Sequence, residues 1–367
     1  MIFKSQPIRV AIAGLGFGES VHIPASQFNE NIELVGLWHP RSERLKEVCD
    51  KHNLYAYQSW EDLINDAKIE GIIIATPPAP RYELALQALQ AGKHLLLEKP
   101  IALNSEEVME LQRNALKRNL RIAVDYEYRA VPLFMQAKRI ISQQKLDEPY
   151  FVKLDWLMSS RANPDRPWDW YSDKSSGGGV LGALGTHAFD IIHWLIGPTH
   201  SLSAINSTSI KQRVCAASEA TKLVTSEDVS ISQLQIKSIH NSLIPVQVNL
   251  SAVTKQSRGF SLEIYGKNET LILSSDNQKD YVHGFGLWLS HKGEILKNIQ
   301  ADSDISFSKI WTDGRIAPVA RIQSWWVQSI KDGIPVIPGL VEGLSSQMVC
   351  DKVKESNLTG MRQEISN

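Results

Sequence analysis

Two short stretches of the 367-residue chain carry residue types that could do chemistry together. Gly14-Leu15-Gly16-Phe17-Gly18 follows an apolar run, and Glu98-Lys99-Pro100 closes a later one. A glycine loop after a strand can cradle phosphate. Gly14 permits the tight turn, Gly16 lets the backbone approach a pyrophosphate, and the next helix offers its N-terminal amides and dipole. A lysine ending a later strand puts an ammonium group at the carboxyl edge of the same sheet, where ligands of open parallel sheets bind. Thr76-Pro77-Pro78 forms a turn between the two. The spacing predicts a dinucleotide and a proton-handling cation in one crevice. The third glycine of G-x-G-x-x-G falls on Glu19, with Gly18 one place early. The loop alone is therefore a weak signature, and an ordinary glycine turn is its plain alternative.

The end of the second strand decides between nucleotides. A carboxylate there would bind a free ribose 2′-hydroxyl. The place is taken by His39, followed by Arg41, Ser42 and Arg44. Cations without a carboxylate favour a 2′-phosphate, so NADP(H) is expected over NAD(H). The alternative is that Arg41 and Arg44 are solvated charges at a helix start.

These residues need a sheet to position them. Ile8–Ala13, Ile32–Trp38, 70–75, His94–Leu97 and 121–124 read as buried strands. Between them, Ser42–His52, 82–91 and the segment after Asn104 read as helices, with Glu107 completing a capping box. This β-α alternation predicts an α/β domain with a doubly wound parallel sheet over residues 1–124. From 125 to 367 the pattern changes. Residues 150–156 alternate as a half-exposed strand. A tryptophan-rich loop spans 157–176, and Gly177-Gly178-Gly179 opens an apolar helix that stops at Gly197-Pro198. Alternating stretches such as 229–236, 246–253, 260–265 and 270–273 predict a large, mostly antiparallel open sheet, followed by helices at 320–331 and 340–355.

With 39 basic and 40 acidic residues the formal net charge is -1, which argues against a nucleic-acid or anionic-membrane partner. Cys49, Cys215 and Cys350 are far apart and odd in number, which suits a reducing compartment rather than a disulfide framework or structural zinc. No signal peptide and no membrane-spanning run is evident, so a soluble cytoplasmic protein is expected.

The combination of GLGFG at 14–18, ATPP at 75–78, AGKHLLLEKP at 91–100 and GGGVLGALGTHAFD at 177–190 resembles the glucose–fructose oxidoreductase/inositol dehydrogenase/MocA (Gfo/Idh/MocA) family. The match covers nearly the whole chain, since the GL…Q…V pattern at 343–349 resembles the family's C-terminal helix. The resemblance implies a Rossmann domain followed by an α+β domain with a large open sheet. It also implies pyridine-nucleotide hydride transfer on sugars, polyols and related carbonyl compounds. Thr76, Pro77, Phe17 and Glu98 would join the glycines, His39, Arg41 and Arg44 around the cofactor.

Lys99 matches the family lysine, and its peptide bond to Pro100 is often cis in the family. An ammonium beside a carbinol stabilises a developing alkoxide, and burial tends to bring a lysine pKa down. His187 matches the family histidine, able to exchange the hydroxyl proton as hydride leaves carbon. Lys99 and His187 are the candidate catalytic pair. A packing histidine is the alternative for His187. His187, Asp190 and His193 mimic a metal-ligand spacing, but the outer two diverge around the helix, so no metal is expected.

The chain departs from the family at Ala183, where members with a three-residue arrangement carry an aspartate. Glu127 and Arg129 are candidates to replace it and to bind substrate, with Trp168 and Trp170 as apolar platforms for a sugar face. Lid packing or a subunit contact is the alternative for the tryptophans. A homodimer or homotetramer formed through the second sheet is expected. Two other activities stay open: a non-catalytic nucleotide-binding regulator, and redox-neutral glycoside cleavage with a tightly held cofactor.

Overall fold

The computed structural model describes residues 6–365 except 144, 145, 217, 239, 278, 279 and 281. The chain forms two compact units, one made of residues 1–130 and 309–344, the other of 131–308 and 345–367.

In the first unit the elements run β1 (Ile8–Ala13), α1 (Ile23–Phe28), β2 (Ile32–Trp38), α2 (Ser42–His52), β3 (Tyr55–Tyr57), α3 (Trp60–Asn65), β4 (Gly71–Ile74), α4 (Pro78–Gln90), β5 (His94–Leu97), α5 (Ser105–Arg118) and β6 (Ile122–Val124). The six strands pair in parallel in the order β3-β2-β1-β4-β5-β6. Both faces are buried, and the period of two is visible in the core. Ala11, Ile72 and Leu95 pack with Leu89, Val108 and Leu111 of α4 and α5. Val10, Ile12, Ile73 and Leu96 pack on the other face with Leu45 and Val48 of α2. That is why these strands read as continuous apolar runs. Asn104 caps α5 by accepting from the Glu107 N–H at 2.9 Å, whereas the Glu107 carboxylate reaches back to the Leu103 N–H, one residue beyond the expected box partner.

The second unit contains α6 (Pro132–Ser142), β7 (Phe151–Leu157), α7 (Thr186–Leu195), β8 (Thr199–Ser207), β9 (Gln212–Val214), β10 (Thr221–Leu223), β11 (Val229–Lys237), β12 (Leu243–Ser251), β13 (Gly259–Tyr265), β14 (Glu269–Ser275), β15 (Gly286–His291) and β16 (Lys297–Ile299). After α8 (Ile316–Asp332) comes α9 (Leu340–Thr359), and β17 (Gln363–Glu364) ends the order. Nine strands pair as β16-β15-β14-β13-β7-β12-β11-β8-β17, all antiparallel except β7–β12. One face carries Val152, Leu154, Trp156, Val248 and Leu262, all buried, while the alternate residues Lys153, Asp155 and Asn249 are half-buried.

Residues 309–344 differ from the sequence division, which placed everything after 124 in the second domain. Ile322, Trp326 and Val327 of α8 are buried against the first sheet, on the face of Val10 and Ile12. An apolar stripe of that size belongs with whichever sheet face it covers, whatever its place in the chain. Among the described residues, no helix is long and apolar enough to cross a membrane.

Candidate active site

The glycine loop is built by close approach. Gly14 has φ 103°, and a Cβ there would lie 2.6 Å from the Ala75 carbonyl oxygen at the end of β4. Gly16 is exposed, and a Cβ on it would meet nothing within 4 Å, which leaves room for a ligand group. At Gly18 a Cβ would press on Ile12 Cγ2 at 3.2 Å, so Gly18 is the glycine that lets helix and strand pack closely. It comes one place early, and the helix begins with a π-helical turn, Gly18–His22, before α1. These glycines and the first helical amides fit a pyrophosphate. Phe17 packs edge-on to His22 at 5.4 Å, with the Arg315 guanidinium 5.2 Å from its ring centre.

The residues at the end of β2 are arranged differently from their simplest reading. His39 Nδ1 accepts from the Arg41 N–H at 3.0 Å. Burial, then the Arg41 charge, holds its pKa below the ordinary value, so His39 is neutral at pH 7. Arg44 pairs with Glu19 and with Glu47 (2.6 Å). Arg41 is exposed.

At the ends of β5 and β6 the chain buries an ionisable cluster. Lys99 is half-buried and its bond to Pro100 is cis. Glu98 is 7% exposed, and His22, wholly buried, approaches it with Nε2 at 2.9 Å from Oε1. Gln323 Nε2 lies 3.4 Å from His22 Nδ1. Asp125 Oδ2 lies 3.6 Å from the same Nε2. His22, Glu98 and Asp125 are metal-ligand types gathered within 4.8 Å, but here the imidazole is spent as a donor to Glu98.

The three carboxyls of this cluster divide. Burial pushes Glu98 up, but the His22 bond and charge, and then Lys99, outweigh it and bring its pKa down to about 2. Asp125 is held well above the carboxylate range by burial and by the charges of Glu98 and Glu127. Glu127, 5% exposed, is pushed up to about 7 by burial, with Lys99 opposing and Glu98 adding. Arg129, on the same short 3₁₀ turn, is also buried. Sequence reasoning singled out Glu98, Lys99, Glu127 and Arg129 but missed His22, Asp125 and Gln323.

The second unit holds the other candidates. His187 is 2% exposed on α7, with the Trp156 ring 6.1 Å away. His193 is committed elsewhere: Nε2 meets Thr199 Oγ1 at 2.8 Å and Nδ1 meets Ser345 Oγ at 2.9 Å. Ala183 lies in a π-helical stretch, Leu181–Gly185, ahead of α7. The glycine run before it is steric in origin. A Cβ on Gly178 would meet the Tyr171 carbonyl oxygen at 2.2 Å, and one on Gly179 the Glu227 carboxylate at 2.2 Å. Glu227, another residue the sequence did not single out, accepts from the Leu181 N–H at 2.9 Å and so anchors the start of this helix. Trp168 donates its indole N–H to the Leu223 carbonyl at 3.0 Å and carries Lys222 over its ring, while Trp170 is 38% exposed. Arg161 stacks on Tyr171 at 4.0 Å and pairs with Asp169 at 2.7 Å.

A six-stranded parallel sheet with a glycine cradle on its carboxyl edge defines a nucleotide-binding α/β fold. A family model described as "Oxidoreductase family, NAD-binding Rossmann fold" matches residues 8–126, and its partner, "Oxidoreductase family, C-terminal alpha/beta domain", matches 138–365. The chain belongs to the Gfo/Idh/MocA family and is an NAD-binding oxidoreductase. It is 39% identical to an uncharacterized oxidoreductase of Synechocystis over 356 residues, 96% of this chain and 95% of the relative. It is 24% identical to the glucose-6-phosphate 3-dehydrogenase of Bacillus subtilis, over 98% of this chain and 99% of the relative. Among solved structures, a levoglucosan dehydrogenase in complex with NADH and L-sorbose has the same fold, with TM-score 0.85 and 20% identity over 99% of this chain and 100% of that one.

The raised Glu127 carboxyl has a measurable consequence. It keeps its proton up to about 7 when folded but only to about 4.5 when unfolded, so the folded form holds the extra proton between those values. Its contribution to stability is then full below pH 4.5 and is lost as pH rises to 7. Glu127→Gln should recover on the order of 2–3 kcal/mol at pH 7.5 relative to pH 4.5, compared with wild type. Urea unfolding at the two pH values measures it, and equal pH slopes for both proteins would show Glu127 to be ionised.

Proposed function

We propose that this oxidoreductase moves hydride between a nicotinamide nucleotide, NADP(H) in preference to NAD(H), and a hydroxyl-bearing carbon of a sugar or polyol. The observation that carries the reading is the shared sheet edge. A glycine cradle after β1 and a lysine after β5 leave the same parallel sheet at its carboxyl side, where a dinucleotide would lie beside the amine. The substrate class is supported by the relatives, which are named for a glucose phosphate and for levoglucosan.

Bound nicotinamide supplies the hydride chemistry. The chain's own part is proton handling. Lys99 stabilises oxygen charge as the carbinol proton leaves, and His187 exchanges that proton. A positioned acid–base group contributes about 10²–10⁴-fold. Lys99→Ala and His187→Ala should each lower kcat by about that factor and leave nucleotide affinity within roughly tenfold. If the double variant loses no more than either single one, the two act as a unit. Normal turnover by His187→Ala would make that histidine a packing residue.

The nucleotide preference rests on fewer residues than the sequence suggested. With His39 neutral and Arg44 paired to Glu19 and Glu47, Arg41 is the cation left for a 2′-phosphate. NADPH should bind about tenfold or more tightly than NADH, and Arg41→Ala should erase most of the difference. Fluorescence titration with both nucleotides decides it, and equal or tighter NADH binding rejects the preference.

The half-buried face of the nine-stranded sheet is the proposed seat of a second copy. Asp155 is bridged there by Lys153 (2.7 Å) and Asn249 (2.6 Å), beside the exposed Ile231. Sedimentation should show a dimer or larger at micromolar concentration, weakened by Ile231→Arg, and a wild-type monomer would refute it.

A further inference from the structure

Arg81, in the first turns of α4, has so far no part in the chemistry. It is 3% exposed, so a full guanidinium is buried there. Its Nη1 donates to the carbonyl oxygens of Glu98 (2.7 Å) and Pro100, and its Nη2 to that of Thr76. Two loops thus end on one cation: the turn after β4, which carries Thr76 and Pro77, and the loop after β5, which carries Lys99. The grip on the second loop falls on the residues immediately before and after Lys99. Glu98 is held twice, its carbonyl by Arg81 and its carboxylate by His22.

The donor geometry is particular to arginine. The two Nη atoms stand at a fixed separation in one plane and can serve two loops at once, whereas an ammonium is a single point with no such span. Burial lowers the Arg81 pKa to about 10, with the Glu98 charge opposing, so the fork stays charged through neutral pH. Its hydrogen-bond partners are main-chain oxygens, so what the buried charge fixes is the path of the backbone.

We propose that Arg81 is a positioning residue: by holding Thr76 on one loop and Glu98 and Pro100 on the other, it sets the nucleotide-facing turn and Lys99 as one rigid piece. This rests on the functional reading above, in which Thr76-Pro77 faces the nucleotide and Lys99 the substrate. Nucleotide affinity and turnover then depend on Arg81 together, whereas Lys99→Ala should act chiefly on turnover.

Arg81→Lys tests it, with Ala88→Gly, a buried site on the same helix away from both loops, as a control for lost stability. In Arg81→Lys the nucleotide Kd should rise about tenfold and kcat fall about a hundredfold, the size expected when reacting groups are misplaced by about an ångström. Guanidinium ion should restore part of both in Arg81→Ala. Ala88→Gly should keep wild-type values of each. Hydrogen exchange separates this proposal from the functional reading. The amides of residues 75–76 and 98–99 should exchange faster together in Arg81→Lys even if the wild-type chain turns over no nucleotide. Three results would overturn it: a folded Arg81→Lys with wild-type Kd, kcat and exchange; loosening of one loop without the other; or losses in Ala88→Gly as large as those in Arg81→Lys. If neither Arg81→Lys nor Arg81→Gln folds while Ala88→Gly does, Arg81 is a stability residue and the proposal also fails.

Discussion

A carboxyl taken out of water costs several kcal/mol unless charges or hydrogen bonds answer it. The first unit buries three of them, Glu98, Asp125 and Glu127, at the end of two adjacent strands. They cannot all be ionised so close together. Glu98 takes the charge because the His22 imidazole and the Lys99 ammonium attend it, and Asp125 and Glu127 keep their protons to higher pH. Much of the surrounding construction serves this division. His22 reaches Glu98 from the end of the wide turn that opens the first helix. Gln323 must fix the imidazole, so α8 must dock on the same unit.

The strands of the first sheet were legible because both their faces are buried, which turns period-two packing into plain apolar runs. Lys99 was legible for the same reason: an apolar strand that ends in a charge has little choice but to deliver it to the sheet edge. The π-helical turn was not legible. The early Gly18 and the carboxylate of Glu19 looked like a defect in the loop, whereas Gly18 lies close against Ile12 and opens the π-helical turn. His22 gave no local signal either, since its partners lie at positions 98, 125 and 323, and a lone histidine after a glycine loop has many ordinary explanations.

In the second unit the glycine run was read as a helix opening, and the structure gives the steric cause. Gly178 and Gly179 leave space for a carbonyl and for the Glu227 carboxylate, which then binds the helix start. Nothing near residue 179 in sequence announces a glutamate at 227. The tryptophan loop shows how a residue can be partly claimed by structure: Trp168 already gives its N–H to Leu223, while Trp170, two residues on, is exposed.

The return of residues 309–344 to the first unit bears on the order in which the protein is made. When residue 130 leaves the ribosome, the six strands are present, but Ile322, Trp326 and Val336, which close one face of their sheet, are not. Gln323, which orients His22, is missing as well. About two hundred more residues must be added first, which takes on the order of ten seconds or more at ordinary synthesis rates. For that interval part of one apolar face of the sheet stays uncovered on a tethered chain. Completion of the nucleotide-binding half is therefore a late event, and the nascent chain exposes during synthesis a surface that the finished protein buries.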